Sequence, residues 1–174
     1  MKKRAIARRR LVLTLPVLLA GGCGFHPVYE RSADGTSAAR AGLGLIAVSL
    51  IPDRPGQLLR QALQARIDRG ETAAKRFDLV VWFGLSAEAL SIQTDNTATR
   101  VRYVGRTTWS LLKRDATRAT VTSGSAHAMD GLNTFDQQYF AQDLETETVE
   151  RRLADALAEQ ITGQLVAYFD QHPV

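Results

Sequence analysis

Apolar residues recur along this chain with two periods, and the switches between them mark its elements. Phe77, Leu79, Val81, Phe83 and Leu85 fall at every second position and predict a long strand with one buried face. Asp78, Ser86 and Glu88 share the opposite parity with Val80 and Trp82. Thr94-Asp95-Asn96 marks a turn, and a second long strand is predicted from about Ala98 to Leu112. Val101, Tyr103, Thr107, Trp109 and Leu111 take one of its faces, and Arg100, Arg102 and Arg106 take the other. Lys113-Arg114-Asp115 makes a tight connection to a third strand over about Arg118 to Ala128, with Gly124 as a candidate bulge. The three strands read as an antiparallel meander, and Gly131-Leu132-Asn133 interrupts the pattern after it.

Helical spacing appears on both sides of this meander. Leu58, Leu59, Ala62, Leu63, Ala65 and Ile67 predict a helix from about Pro55 to Arg69, with Asp53 as its cap, Pro55 in its first turn and Gly70 as its stop. Val149, Leu153, Leu157, Ile161, Leu165 and Phe169 recur every fourth residue and predict a closing helix from about Gln138 or Asp143 to Asp170. Asp143, Glu145, Glu147 and Glu150 crowd its first half, where the helix dipole favours negative charge. Leu43 to Ile51, an apolar stretch between Gly42 and Pro52, predicts a short buried strand. The order is β-α-β-β-β-α. Each strand has one apolar face, and two amphipathic helices are available to cover it. The predicted fold is α+β: a two-layer sandwich with two helices packed on one four-stranded mixed sheet, the first strand joining in parallel through its crossover helix.

The first residues set a different expectation. Lys2, Lys3 and Arg4, then Arg8-Arg9-Arg10, precede an apolar run from Leu11 to Ala20 and the small residues Gly21 and Gly22. That is the form of a secretory signal peptide, and the run falls short of the ~20 apolar residues that span a bilayer. Cys23 is the one cysteine of the 174 residues, so no internal disulfide can form. Leu19-Ala20-Gly21-Gly22-Cys23 looks like a bacterial lipobox, with Ala20 where Leu is usual. In that pathway the thiol takes a diacylglyceryl group, cleavage precedes the cysteine, and a fatty acid such as palmitate caps its new amine. Several acyl chains on one residue make anchoring stable. The expected organisation is a removed signal peptide over 1–22, a lipidated tether over 23–42 and a single α/β domain over 43–174. The export route stays open between general secretion and the twin-arginine pathway.

Removing the leader also reverses the charge. The chain has 22 Lys+Arg and 18 Asp+Glu, but six of the basic residues and none of the acidic ones lie in residues 1–22. What remains is slightly acidic, so the basic balance is no evidence for nucleic-acid binding.

Candidate chemistry is sparse. There is no phosphate loop, no Gly-x-Ser-x-Gly elbow and no cysteine pair for zinc, so no catalytic residue, cofactor or metal ligand is assigned. His26 lies beside the expected anchor, His172 in the tail, and His127 on a strand. Arg100, Arg102 and Arg106 point the same way from their strand, about 7 Å and 13 Å apart at roughly 3.3 Å per residue. Guanidinium groups so spaced suit bidentate contact with phosphates, and suit equally an ordinary solvated face.

The start Cys23-Gly24-Phe25-His26-Pro27 resembles that of the LptE family of lipopolysaccharide-assembly lipoproteins. Thr97-Ala98-Thr99-Arg100 after a turn, Leu111-Leu112 in the long strand, and Leu157-Ala158-Glu159-Gln160-Ile161 in the closing helix are similar to its shorter members. The resemblance implies an outer-membrane lipoprotein facing the periplasm and anchored through Cys23. Such a protein plugs the large β-barrel LptD, helps it assemble, and contacts lipopolysaccharide without making or breaking a bond. It makes Arg100, Arg102 and Arg106 candidates for contact with lipid A phosphates or with acidic residues of the barrel lumen. Two other readings are an auxiliary lipoprotein of an envelope ABC transporter for phospholipid and a periplasmic lipoprotein enzyme.

Overall fold

A computed structural model of the chain describes residues 38–68, 74–92, 98–133 and 139–174. The expected signal peptide, Cys23, the signature Gly24, Phe25, His26 and Pro27, most of the tether, Gly70 and the turn at Thr94-Asp95-Asn96 lie outside the described residues.

The elements are α1 (Ala38–Gly44), β1 (Ile46–Val48), α2 (Arg54–Ile67), β2 (Phe77–Ile92), β3 (Ala98–Lys113), β4 (Thr120–Asn133) and α3 (Tyr139–Gln171). They form one four-stranded sheet in the order β1-β2-β3-β4, with β1 parallel to β2 and the other neighbours antiparallel. The α+β sandwich and the mixed sheet are therefore as the periodicities predict.

One helix was not expected. The sequence places 38–42 in a tether, and Gly42 and Gly44 within Ala38–Gly44 each cost roughly 1 kcal/mol of helix propensity. Packing overrides that cost. Ala39 and Leu43, one turn apart, are buried in the same core as Phe169 of α3. Gly42 lies so close to the Phe169 ring that a Cβ there would collide with it. The stretch from Leu43 to Ile51 is consequently divided: its first residues finish α1, Ile46–Val48 form the strand, and Ser49 onward leads into α2.

Two further expectations are corrected. The bulge in the β3–β4 ladder falls at Leu111/Leu112, where the partners skip from Thr122 to Thr120, and Gly124 pairs in regular register with Trp109. Gly124 is there for room, since a Cβ would come within 2.7 Å of the Trp109 ring. Nor does Gly131-Leu132-Asn133 interrupt β4. Leu132 is buried beside Val149 and Leu153 of α3, and that burial carries the strand on through the glycine.

Both long helices cover one face of the sheet. Leu58, Leu59, Leu63 and Ile67 of α2 and Leu157, Ala158, Ile161 and Leu165 of α3 close over Leu79, Val81, Trp109 and Leu111. Arg54 with Glu147 (3.0 Å) and Arg66 with Asp155 (3.1 Å) tie the two helices together at the surface. Among the described residues no helix is long and apolar enough to cross a membrane.

Candidate ligand-binding face

No helix of the described residues covers the other face of the meander. Strand alternation sends Arg100, Arg102 and Arg106 away from the helices, and all three are exposed. Their cross-strand neighbours share that face: Glu88 and Gly131 flank Arg102, Ser86 and Met129 flank Val104, and Gly84 and His127 flank Arg106. Trp82, Leu90 and Met129 are large apolar residues left exposed here, Trp82 at 75% and Met129 at 64%.

At one end of this face lies a shallow cleft of about 580 Å³, lined by Leu90, Arg100, Arg102, Met129, Asp130 and Gly131. The structure thus brings two of the three sequence-predicted arginines together and leaves Arg106 further along the same strand. The bulge between Ala89 and Ile92 shifts the register beside the cleft and puts Leu90 at its wall.

Charge in the cleft is positive in effect. The Asp130 carboxylate accepts from the Arg152 guanidinium at 2.6 Å and from the Gly131 N–H at 2.7 Å, so it is engaged with α3 and with its own strand. Glu88 stands 4.0 Å from Arg102, both half-exposed, an arrangement that solvent screens to little. Guanidinium donors beside a methionine and a leucine suit a ligand that is anionic at one end and apolar at the other.

Leu90 and Met129 are lining residues that the sequence reading missed. Met129 has the outward parity of β4, which was the available signal; Leu90 lies past the alternating run, at the bulge, where parity ceases to inform. His127 is exposed on this face, and its carbonyl accepts from the Gln160 amide at 3.0 Å. Among the described residues no three His, Cys, Asp or Glu side chains gather closely enough to hold a metal ion.

Solved structures with the same fold include a Caulobacter crescentus CB15 protein assigned as a lipoprotein, at TM-score 0.59 and 22% identity over 75% of this chain and 95% of that one. The rare lipoprotein B of Shewanella oneidensis matches at TM-score 0.52 and 11% identity, over 71% and 92% of the two chains. An uncharacterized lipoprotein B of Nitrosomonas europaea matches at 0.51 and 18%, over 71% and 81%. At these identities the likeness bears on the fold alone. No curated protein gives a match. A family model described as LptE, lipopolysaccharide-assembly, matches residues 43–165.

Proposed function

Because the chain belongs to the LptE lipopolysaccharide-assembly family, we propose that it is a non-enzymatic outer-membrane lipoprotein that plugs an LptD-type β-barrel and contacts lipopolysaccharide as it passes to the outer leaflet. In this reading residues 1–22 are removed and lipid on Cys23 holds the protein at the periplasmic face. The stretch before Ala38 gives it reach, and the α/β domain fills the lumen. Gly24 after the cysteine, rather than Asp, accords with sorting to the outer membrane.

The observation that carries the reading is the asymmetry of the sheet. The three helices of the described residues lie with the core on one side, while the other side keeps Arg100, Arg102, Leu90 and Met129 around an open cleft. Lipid A offers phosphates to the arginines and acyl chains to the apolar rim. Arg106, further along the same face, is available to the same phosphates or to acidic residues of the lumen.

Binding of the purified protein to lipopolysaccharide tests the cleft. Arg100→Ala with Arg102→Ala removes two charge-assisted contacts, each worth about 1.5–3 kcal/mol, so affinity falls by roughly two orders of magnitude or more. Unchanged affinity in the double variant would remove the cleft from the contact surface.

A further inference from the structure

The two edges of the sheet are treated differently. On the β4 edge, α3 supplies Gln164, whose amide donates to the Ser125 carbonyl at 2.9 Å, and Gln160, whose amide donates to the His127 carbonyl at 3.0 Å. Asp130 takes the Gly131 N–H in the same strand. Side chains thus occupy main-chain groups that a further strand would need.

Among the described residues the β2 edge has no such cover. β1 pairs with Phe77, Asp78 and Leu79 only. The Phe77 N–H donates to the Leu45 carbonyl, and the Leu79 carbonyl accepts from the Ser49 N–H, so the odd-numbered residues of β2 face this edge. Phe83, Leu85, Ala87 and Ala89 therefore turn their N–H and C=O groups outward past the end of β1, and no strand of the described residues lies beside them. From Val81 to Leu90 the edge has no Pro, no Lys and no Arg, and its one charge is Glu88. An edge of this kind is a template for another strand.

We propose that the edge pairs with the same edge of a second copy of this chain, antiparallel about a two-fold axis at Ser86. In that register Phe83 faces Ala89 of the second copy and Leu85 faces Ala87, a bulky residue against a small one at each step on the helix-covered side. On the bare side Gly84 faces Glu88. Gly84 is the gap that makes this pairing work electrostatically. A Cβ at Gly84 would meet nothing within 4 Å, and its neighbour on β3 is Arg106, for which no ion-pair partner is found among the described residues. Strands lie about 4.8 Å apart, so Glu88 of the second copy, held only loosely at 4.0 Å by Arg102 of its own chain, reaches over Gly84 to Arg106 as well, twice by symmetry. The register also ends the pairing short of β1 and at the bulge after Ala89. The two β4 edges of the resulting sheet are already occupied by glutamines and β1 offers only three residues, so the assembly closes at two copies. This is a state of the chain free of its barrel and does not rest on the reading of the cleft.

Disulfide trapping of the full chain tests it, in membranes where the chain is produced in excess over any barrel partner. The two Ser86 residues form a non-hydrogen-bonded antiparallel pair with Cα atoms about 4.5 Å apart, within the span of a disulfide. Ser86→Cys is expected to give a covalent dimer on oxidation, over the baseline set by the wild-type chain with Cys23 alone. Ser123→Cys, exposed on β4, is expected to give none. Arg106→Glu in the Ser86→Cys background is expected to lower the trapped fraction several-fold, and adding Glu88→Arg to restore it. Absence of the dimer, equal trapping through Ser123→Cys, a mixed disulfide with another protein, or failure of the charge exchange to restore trapping would each overturn the proposal.

Discussion

Trp109 donates its indole N–H to the Gln164 side-chain oxygen at 3.0 Å, and the same amide passes a hydrogen bond on to the Ser125 carbonyl. One glutamine of α3 thus satisfies a buried indole and fastens the helix to the edge strand. Gly124 lies opposite Trp109 and leaves the space that both side chains use. Gln164→Leu leaves the 3%-exposed indole without its partner and is expected to lower stability by about 1–3 kcal/mol. Gly124→Ala overpacks the same spot, with an expected loss of about 1–3 kcal/mol. Urea unfolding of the variants measures both.

Asp53 precedes α2 at φ 65° and ψ 165°, and its side chain makes no capping hydrogen bond. That backbone region belongs almost wholly to glycine and strains other residues by about 1–3 kcal/mol. Asp53→Gly relieves the strain against an entropic cost of roughly 0.5–1 kcal/mol, so a net gain of about 1 kcal/mol is expected. Asp53→Ala keeps the strain and is expected to give no gain. A rise in the unfolding midpoint for glycine but not for alanine is the readout.

Asp115 organises the β3–β4 connection. Its carboxylate accepts from the Thr117 hydroxyl, and from the Thr117 and Arg118 N–H groups at 2.9 and 3.1 Å. The Thr117 hydroxyl bond is the main cause that holds its pKa below the ordinary carboxylate value, with the backbone bonds and Lys113 acting the same way. A carboxyl whose folded pKa lies below its unfolded one stabilises the fold above the unfolded pKa and loses that contribution as pH falls through the folded pKa. Asp115→Asn is therefore expected to flatten the acid side of the stability profile and to leave its slope above neutrality unchanged. Unfolding midpoints measured across acid pH check this.

The strands and long helices were legible because their apolar faces repeat without interruption: Phe77 to Leu85 at period two, Val149 to Phe169 at period four. What was hidden depended on contacts between distant residues. Helix α1 has weak propensity and exists through Ala39 and Leu43 meeting Phe169. Glycine misled in both directions at β4, where Gly124 signals a neighbour's bulk and Gly131 is spanned because Leu132 is buried beyond it. The outward row of Arg100, Arg102 and Arg106 followed from parity alone. Their cleft did not, because Leu90 enters it through a bulge and Met129 from another strand.

The most direct measurement is co-purification of the tagged, lipidated protein from detergent-solubilised envelopes, with the partners identified by mass. A large β-barrel protein in stoichiometric amount together with lipopolysaccharide is expected. Recovery of inner-membrane transporter subunits and no barrel would contradict the plug reading.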